Sequence, residues 1–308
     1  MTKKWFLIVV VLALPICCRC GGLPQSAAEG ESKMVVSVRG ENCFISSGIN
    51  DSTSLLFWFK KCMANELYTF YEVALTKEIT AVPSEELIDN SLLVNQAFSD
   101  NIGPFLVEGI GWCGGNHTDE NGGRTATTDC FSITVDGHSF AGDTVAFDVG
   151  KVNIDVTNVI LDTFAIEKIS YRIAGGSVSV SAEHHFYNAQ PLNVLRYYGM
   201  QSMFLGETEE ITPGGLYPSW TAIDKVGQFL KRDYPDFRMF SERNGTAFQS
   251  CLLENFGLGD HAFVAPDQPV FIGNSNGKSY HCLMAGHIVS KGDVTRWKGV
   301  YGWGVRER

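Results

Sequence analysis

Between Trp112 and Cys130 the chain places His117, Asp119, Glu120, Arg124 and Asp129 in a stretch that also holds Gly114, Gly115, Gly122 and Gly123. Glycine carries no side-chain bulk and reaches positive φ freely, so this backbone can fold tightly and let a ligand approach. An imidazole titrates near neutrality and can move a proton, and a neighbouring carboxylate orients it and favours its charged form. The Arg124 guanidinium suits a carboxylate or sulfate, which it can grip with two parallel hydrogen bonds. The stretch is therefore the candidate active site, with Asn116 as a further contact. Two other accounts stand beside it. The loop can simply close on itself, its polar side chains satisfying its own backbone. Alternatively, Asp119, Glu120, Asn121 and Asp129 form an oxygen-rich set for Ca²⁺, the one cofactor in view.

Three other groups carry chemistry. Along Ser177 to Tyr187, strand alternation puts Val178, Val180, Ala182, His184 and Phe186 on one face, and Ser179, Ser181, Glu183, His185 and Tyr187 on the other. The second face, with Glu183 and His185, reads either as a sugar-binding groove or as a solvated outer surface. The segment from Arg196 to Gln201 sends Tyr197 and Tyr198 opposite ways, so only one of these rings can line such a groove, and Gly199 marks a bulge or a close backbone approach. Near the C-terminus Lys278 and Tyr280 share one strand face while Ser279 and His281 share the other. Neither Gly-x-Ser-x-Gly nor His-Glu-x-x-His occurs.

The elements that must position these groups are mostly strands. Val152, Ile154 and Val156 alternate with Asn153, Asp155 and Thr157, and Ile169 to Ile173 alternates likewise before the turn at Gly175 and Gly176, so this region reads as a half-buried strand followed by a hairpin. Further strands are expected at Met34 to Val38, Leu55 to Phe59, Leu67 to Leu75, Phe105 to Ile110, Phe131 to Val135, Thr144 to Val149, Val194 to Phe204, Val270 to Ile272 and Trp297 to Val305. Helix signals are few. Ser84 with Glu85 and Glu86 predicts a short helix over 84–97, and Ser219 caps a second that runs to Pro235. The fold class is all-β: a single antiparallel β-sandwich or jelly roll over 34–308 with one or two short helical insertions.

Met1 to Lys4 is basic, and Trp5 to Ile16 is an apolar run of about a dozen residues, so 1–20 reads as a secretory signal peptide. Leu14, Pro15, Ile16 and Cys17 resemble a relaxed lipobox, which gives a lipoprotein-type signal as one form of it, and 21–33 is a polar tether. The expected location is secreted or cell-surface, with membrane contact only through the signal or a lipid. A formal net charge of −10, more negative once Lys3 and Lys4 are removed, argues against a nucleic-acid partner. Beyond the leader the cysteines are Cys43, Cys62, Cys113, Cys130, Cys251 and Cys282, an even number in an exported chain. Disulfides between sequence neighbours, 43 with 62, 113 with 130 and 251 with 282, are the expectation.

The Gly114 to His117 loop, the run from Tyr197 to Gln201 and the terminal Lys278 to His281 together resemble the β-sandwich polysaccharide lyases and related carbohydrate-active proteins that bacteria export. The Arg-x-Glu-x-Arg and Gln-x-His strands of alginate lyases are absent. The resemblance implies an enzyme that cleaves a uronate-containing polysaccharide by β-elimination. By residue type it makes His117 the base, Tyr198 the acid and Arg124, Asn116 or Gln201 the groups that neutralise the uronate carboxylate. Glu183, His185, Lys278 and Tyr280 then contact the polymer. One alternative is a non-catalytic surface protein that binds glycan or protein. Another is a glycoside hydrolase with paired carboxylates, Glu120 with Glu183 or Asp119 with Asp129. A catalytic protein is expected to place His117 and Arg124 in one concave pocket with Glu183, His185 or one of the tyrosines, where the 112–130 loop meets that face, whereas a binder is expected to show only a shallow aromatic platform.

Overall fold

The computed structural model describes residues 34–77, 81–96, 102–204, 210–213, 221–222, 228–230, 236–241, 245–256, 270–272 and 278–305. The expected leader and tether lie outside the described residues. Every ladder among them is antiparallel, in a ten-stranded, a six-stranded and a seven-stranded sheet. The ten-stranded sheet is built on the meander Ala126–Val135, Val152–Ile160, Ala165–Ala174 and Ser177–Phe186. It continues through Val294–Val305 to Thr246–Phe256 and Asp236–Ser241. The six-stranded sheet runs from Thr144–Val149 through Met34–Arg39, Asn42–Asn50, Thr53–Cys62 and Leu67–Thr76 to Leu92–Gln96. The seven-stranded sheet centres on Leu192–Met203, flanked by Lys278–Met284 on one side and by Phe105–Val107, then Gly111–Cys113, on the other. A bridge from Asn95 to Phe204 links the two smaller sheets.

Period-two patterning explains this arrangement. Val152–Ile160 reads buried at Val152, Ile154, Val156, Asn158 and Ile160, and the hairpin partner buries Ala165, Glu167, Ile169, Tyr171 and Ile173. The inner face of the large sheet packs on both smaller sheets, making a sandwich. Over the six-stranded sheet, Tyr171 meets Phe59 and Phe70 edge-on at 5.5 and 6.0 Å, and Trp303 meets Phe57 at 5.8 Å. Over the seven-stranded sheet, Phe105 lies flat on Tyr197 at 4.2 Å and edge-on to His184 at 5.1 Å. Each large apolar side chain buried this way contributes about 1.5–3 kcal/mol.

The helix is shorter than its sequence signal. It spans Glu85–Asp89, with the Ser84 hydroxyl accepting from the Leu87 amide at 3.2 Å, and Leu87 and Ile88 cover Phe44, Leu56, Trp58 and Ala74 on the outside of the six-stranded sheet. The chain then turns into the strand Leu92–Gln96, which pairs with Leu67–Thr76. Inter-strand hydrogen bonds and the burial of Val94 outweigh the helical preference there. In place of the second expected helix the described residues form strands, Thr221–Ala222 and Gln228–Leu230. Ser219, Trp220 and Ile223 lie outside the described residues.

Candidate functional site

The 112–130 loop passes from the strand Gly111–Cys113 of the seven-stranded sheet to Ala126–Val135 of the ten-stranded one. No disulfide holds it: Cys43, Cys113, Cys130 and Cys282 are thiols, so none of the three neighbour pairings forms. Burial pushes the Cys113 thiol up to about 12. Asn65 does the stapling instead, a role its sequence position gave no sign of. Buried in a turn, it donates to the carbonyls of Gly115 at 2.6 Å and His117 at 3.0 Å, and accepts from the Thr125 amide at 3.1 Å. The Thr125 hydroxyl also donates to the His117 carbonyl and accepts from the Gly114 amide.

These bonds decide what the loop's polar groups do. The Asp119 carboxylate accepts from the amides of Asn121 and Gly123 at 2.8 and 2.7 Å, the Asn116 side chain accepts from the Ala64 amide at 2.7 Å, and Arg124 pairs with Glu66 at 2.7 Å. The account in which the loop satisfies its own backbone describes Asp119 well. Asp129 sits exposed on a strand beside Cys130, away from the turn that holds Asp119. Among the described residues no group of three or more His, Cys, Asp and Glu is placed to hold a metal ion, so the Asp119, Glu120 and Asp129 set is not assembled.

His117, Tyr198 and Tyr280 do come together, through Trp112. The His117 ring stacks on Trp112 at 5.1 Å, Trp112 on Tyr198 at 5.5 Å, and Tyr198 lies 4.3 Å from Tyr280. All four rings are half-buried on the outside of the seven-stranded sheet. Gly103 packs flat against this strand, its amide donating to the Gly199 carbonyl at 2.9 Å, and the register shifts between Tyr198 and Gln201, the close approach expected at Gly199. Burial, reinforced by Cys282, raises the Tyr198 phenol above its usual range despite hydrogen bonds from Arg196 and Tyr280. Gln201 is buried, and Lys278 opens its strand opposite Met203, its side chain outside the described set.

Glu183 and His185 are elsewhere. Their strand turns them to the outside of the ten-stranded sheet, where a groove of about 390 Å³ is lined by Ser181, Glu183, Glu254, Arg296 and Lys298. Nε2 of His185 lies 2.5 Å from Oε1 of Glu183, and Nε of Arg296 donates to Oε2 at 2.5 Å. Lys298 pairs with Glu254 at 2.8 Å. The His185 hydrogen bond, with that of Arg296, holds the Glu183 carboxyl below the usual carboxylate range. Arg296, Lys298 and Glu254 are over half exposed, whereas Glu183 and His185 are about 31% and 29% exposed. An imidazole oriented by a carboxylate, here one that Arg296 also holds, can accept and return a proton. Sequence reasoning missed Arg296, Lys298 and Glu254; the alternation of Thr295, Arg296, Trp297 and Lys298 was the available signal.

The expected shared mouth is therefore not formed. Tyr197 and His184 meet in the core, the phenol oxygen 3.3 Å from Nε2, with Trp297 donating to that oxygen at 2.8 Å. Their neighbours Tyr198 and His185 consequently lie on opposite outer faces of the two layers. Glu120 and Arg124 do not line the groove that holds Glu183. Between the layers, His184 also bonds Glu167 at 3.1 Å and Thr295 at 3.1 Å, and Asn158 donates to Glu167 at 2.9 Å. This buried network was also missed, although Glu167 and His184 interrupt otherwise apolar inward faces.

No protein-family model matches the chain, and no curated protein matches it. Among solved structures, an alpha-galactosidase from Lactobacillus brevis aligns with 88% of this chain and 39% of its own, at 9% identity and a TM-score of 0.49. A GH36 alpha-galactosidase from Geobacillus stearothermophilus aligns with 91% of this chain and 41% of its own, at 9% identity and 0.46. A mutarotase-like protein from Salmonella typhimurium aligns with 88% of this chain and 94% of its own, at 9% identity and 0.39. The chain spans about two fifths of the length of the galactosidases it matches. The resemblance to these carbohydrate-active proteins is a weak one of β-sheet arrangement, and it assigns no residue a role.

Proposed function

We propose that this protein binds a carbohydrate polymer in the groove on the outside of the ten-stranded sheet and cleaves it by β-elimination next to a uronate carboxylate, with His185 as the base. The supporting observation is the 2.5 Å hydrogen bond of His185 to Glu183, a carboxylate that lines an open groove together with Arg296 and Lys298. In this scheme His185 takes the proton from the carbon beside the carboxylate. Arg296 and Lys298 stabilise the enolate charge that develops. The bond from the neighbouring carbon to the glycosidic oxygen then breaks, a carbon–carbon double bond forms, and the imidazolium returns the proton to the departing oxygen. Glu183 is a positioning residue that orients the imidazole through their hydrogen bond.

Both cations already have carboxylate partners, so a uronate must compete for them. The Lys298–Glu254 pair is exposed on both sides, and such pairs are worth only about 0–1 kcal/mol. Exchanging Glu254 for a substrate carboxylate therefore costs little. The test is incubation of the protein with uronate-containing polymers while following the ultraviolet absorbance of an unsaturated end. Saturated products would reassign the groove to hydrolysis between Glu183 and Glu254, and binding without products would make it a lectin-like site.

A further inference from the structure

The row of rings on the opposite side of the molecule is outside this scheme. We infer that His117, Trp112, Tyr198 and Tyr280 form a second carbohydrate-contact surface, one that holds the polymer without cutting it. The inference takes its ligand class from the reading of the groove and otherwise stands on its own geometry. Stacked carbons touch at roughly 3.5–4 Å. Centroid separations of 5.1 Å for His117 on Trp112 and 5.5 Å for Trp112 on Tyr198, with planes within 26° and 25° of parallel, therefore require the rings to slip sideways by roughly 3–4 Å. The row is shingled. Each ring covers only part of the next, and all four are partly exposed to solvent.

A shingled row presents apolar ring faces edged with polar groups. Within the described residues the Trp112 indole enters only ring contacts, so its N–H remains available to a ligand. The two phenol rings, 4.3 Å apart, and Arg196 on the same strand face as Tyr198 lie at the other end. A pyranose has the matching character, with C–H faces that pack on rings and hydroxyl edges that take such hydrogen bonds. The rings are also held in place. Asn65 and Thr125 fix the backbone of His117, and Gly103 packs against that of Tyr198, so little conformational freedom is lost on binding.

The test measures affinity for a uronate polymer and for a neutral polymer by titration calorimetry on the full chain, in parallel with turnover of short oligosaccharides. W112A is expected to weaken polymer affinity about tenfold, with W112F intermediate and the turnover of short oligosaccharides unchanged. H185A is expected to lose turnover and keep the contribution of the row. Polymer affinity of W112A within twofold of the parent, in a protein with an unchanged melting temperature, would overturn the inference. So would wild-type tryptophan fluorescence that does not respond to either polymer while W112F melts normally. If no polymer is cleaved and H185A changes nothing, yet W112A still weakens polymer binding, the row stands and the catalytic reading of the groove falls.

Discussion

His184 and His185 are consecutive on the strand Ser177–Phe186, and the pleat sends their imidazoles to opposite faces of the ten-stranded sheet. Nε2 of His184 lies 3.1 Å from the buried Glu167, while Nε2 of His185 lies 2.5 Å from the partly exposed Glu183. Each is a histidine–carboxylate pair, one in the core and one on the partly exposed outer face, so substitutions at adjacent positions separate structural from chemical roles.

H185A is expected to abolish cleavage of a uronate polymer while stability changes by less than about 0.5 kcal/mol, as for surface substitutions that leave packing intact. H184A removes a fully buried partner of Glu167, and breaking a buried pair costs about 3–5 kcal/mol. Urea denaturation of the two variants checks both. Equal destabilisation would place both histidines in structural roles.

Stability is expected to fall with acid through His281. Burial beside the Ser250 hydroxyl holds this imidazole at about 3, against 6.5 when exposed. Between those values the unfolded chain carries a proton that the folded chain does not, so stability rises with pH across the window and falls as pH drops from about 6.5 towards 3. The slope is at most about 1.4 kcal/mol per pH unit for one such group. Denaturant midpoints at pH 7 and pH 5 should differ less in H281Q than in the parent.

Thiol labelling tests the absence of disulfides. Cys130 is exposed, whereas Cys43, Cys113 and Cys282 are buried with thiols pushed up to about 12. A maleimide added to the native protein should modify Cys130 rapidly and these three only after unfolding. Intact mass before and after reduction should agree. A mass increase of two hydrogens per cysteine pair on reduction would restore the disulfide expectation.

Gly103 has no room for a side chain. A Cβ built there would fall 1.4 Å from the Tyr198 carbonyl oxygen, a backbone atom. G103A must therefore displace the strand that carries Tyr198, at a cost of about 3 kcal/mol or more. A thermal melt reads the cost.

Much of the fold was legible because alternation is a local property. Val152 to Thr157, Ile169 to Ile173 and Ser177 to Phe186 form strands where their patterns place them, and all five apolar-side residues of the last, His184 included, are buried. The helix expected over 84–97 was over-extended because capping at Ser84 and acids in the first turn signal a start but say little about length. Its far half joins a sheet whose partner strand lies earlier in the chain. The neighbouring cysteines are not brought opposite one another: Cys113 and Cys130 belong to strands of different sheets, and on adjacent strands of one sheet Cys43 faces Phe59 while Cys62 faces Leu67.

From the sequence alone came the strand period and the two faces of Ser177–Phe186, set by the pleat of the backbone, and the residue types able to move protons, set by side-chain chemistry. The tertiary structure decided which of those residues meet. Glu183 finds Arg296, 113 positions away, because the strand Val294–Val305 closes against Ser177–Phe186. Trp112 reaches Tyr198 through a strand pairing of the other layer. Such partners depend on which strands pack together and in what register, and no local pattern encodes that choice.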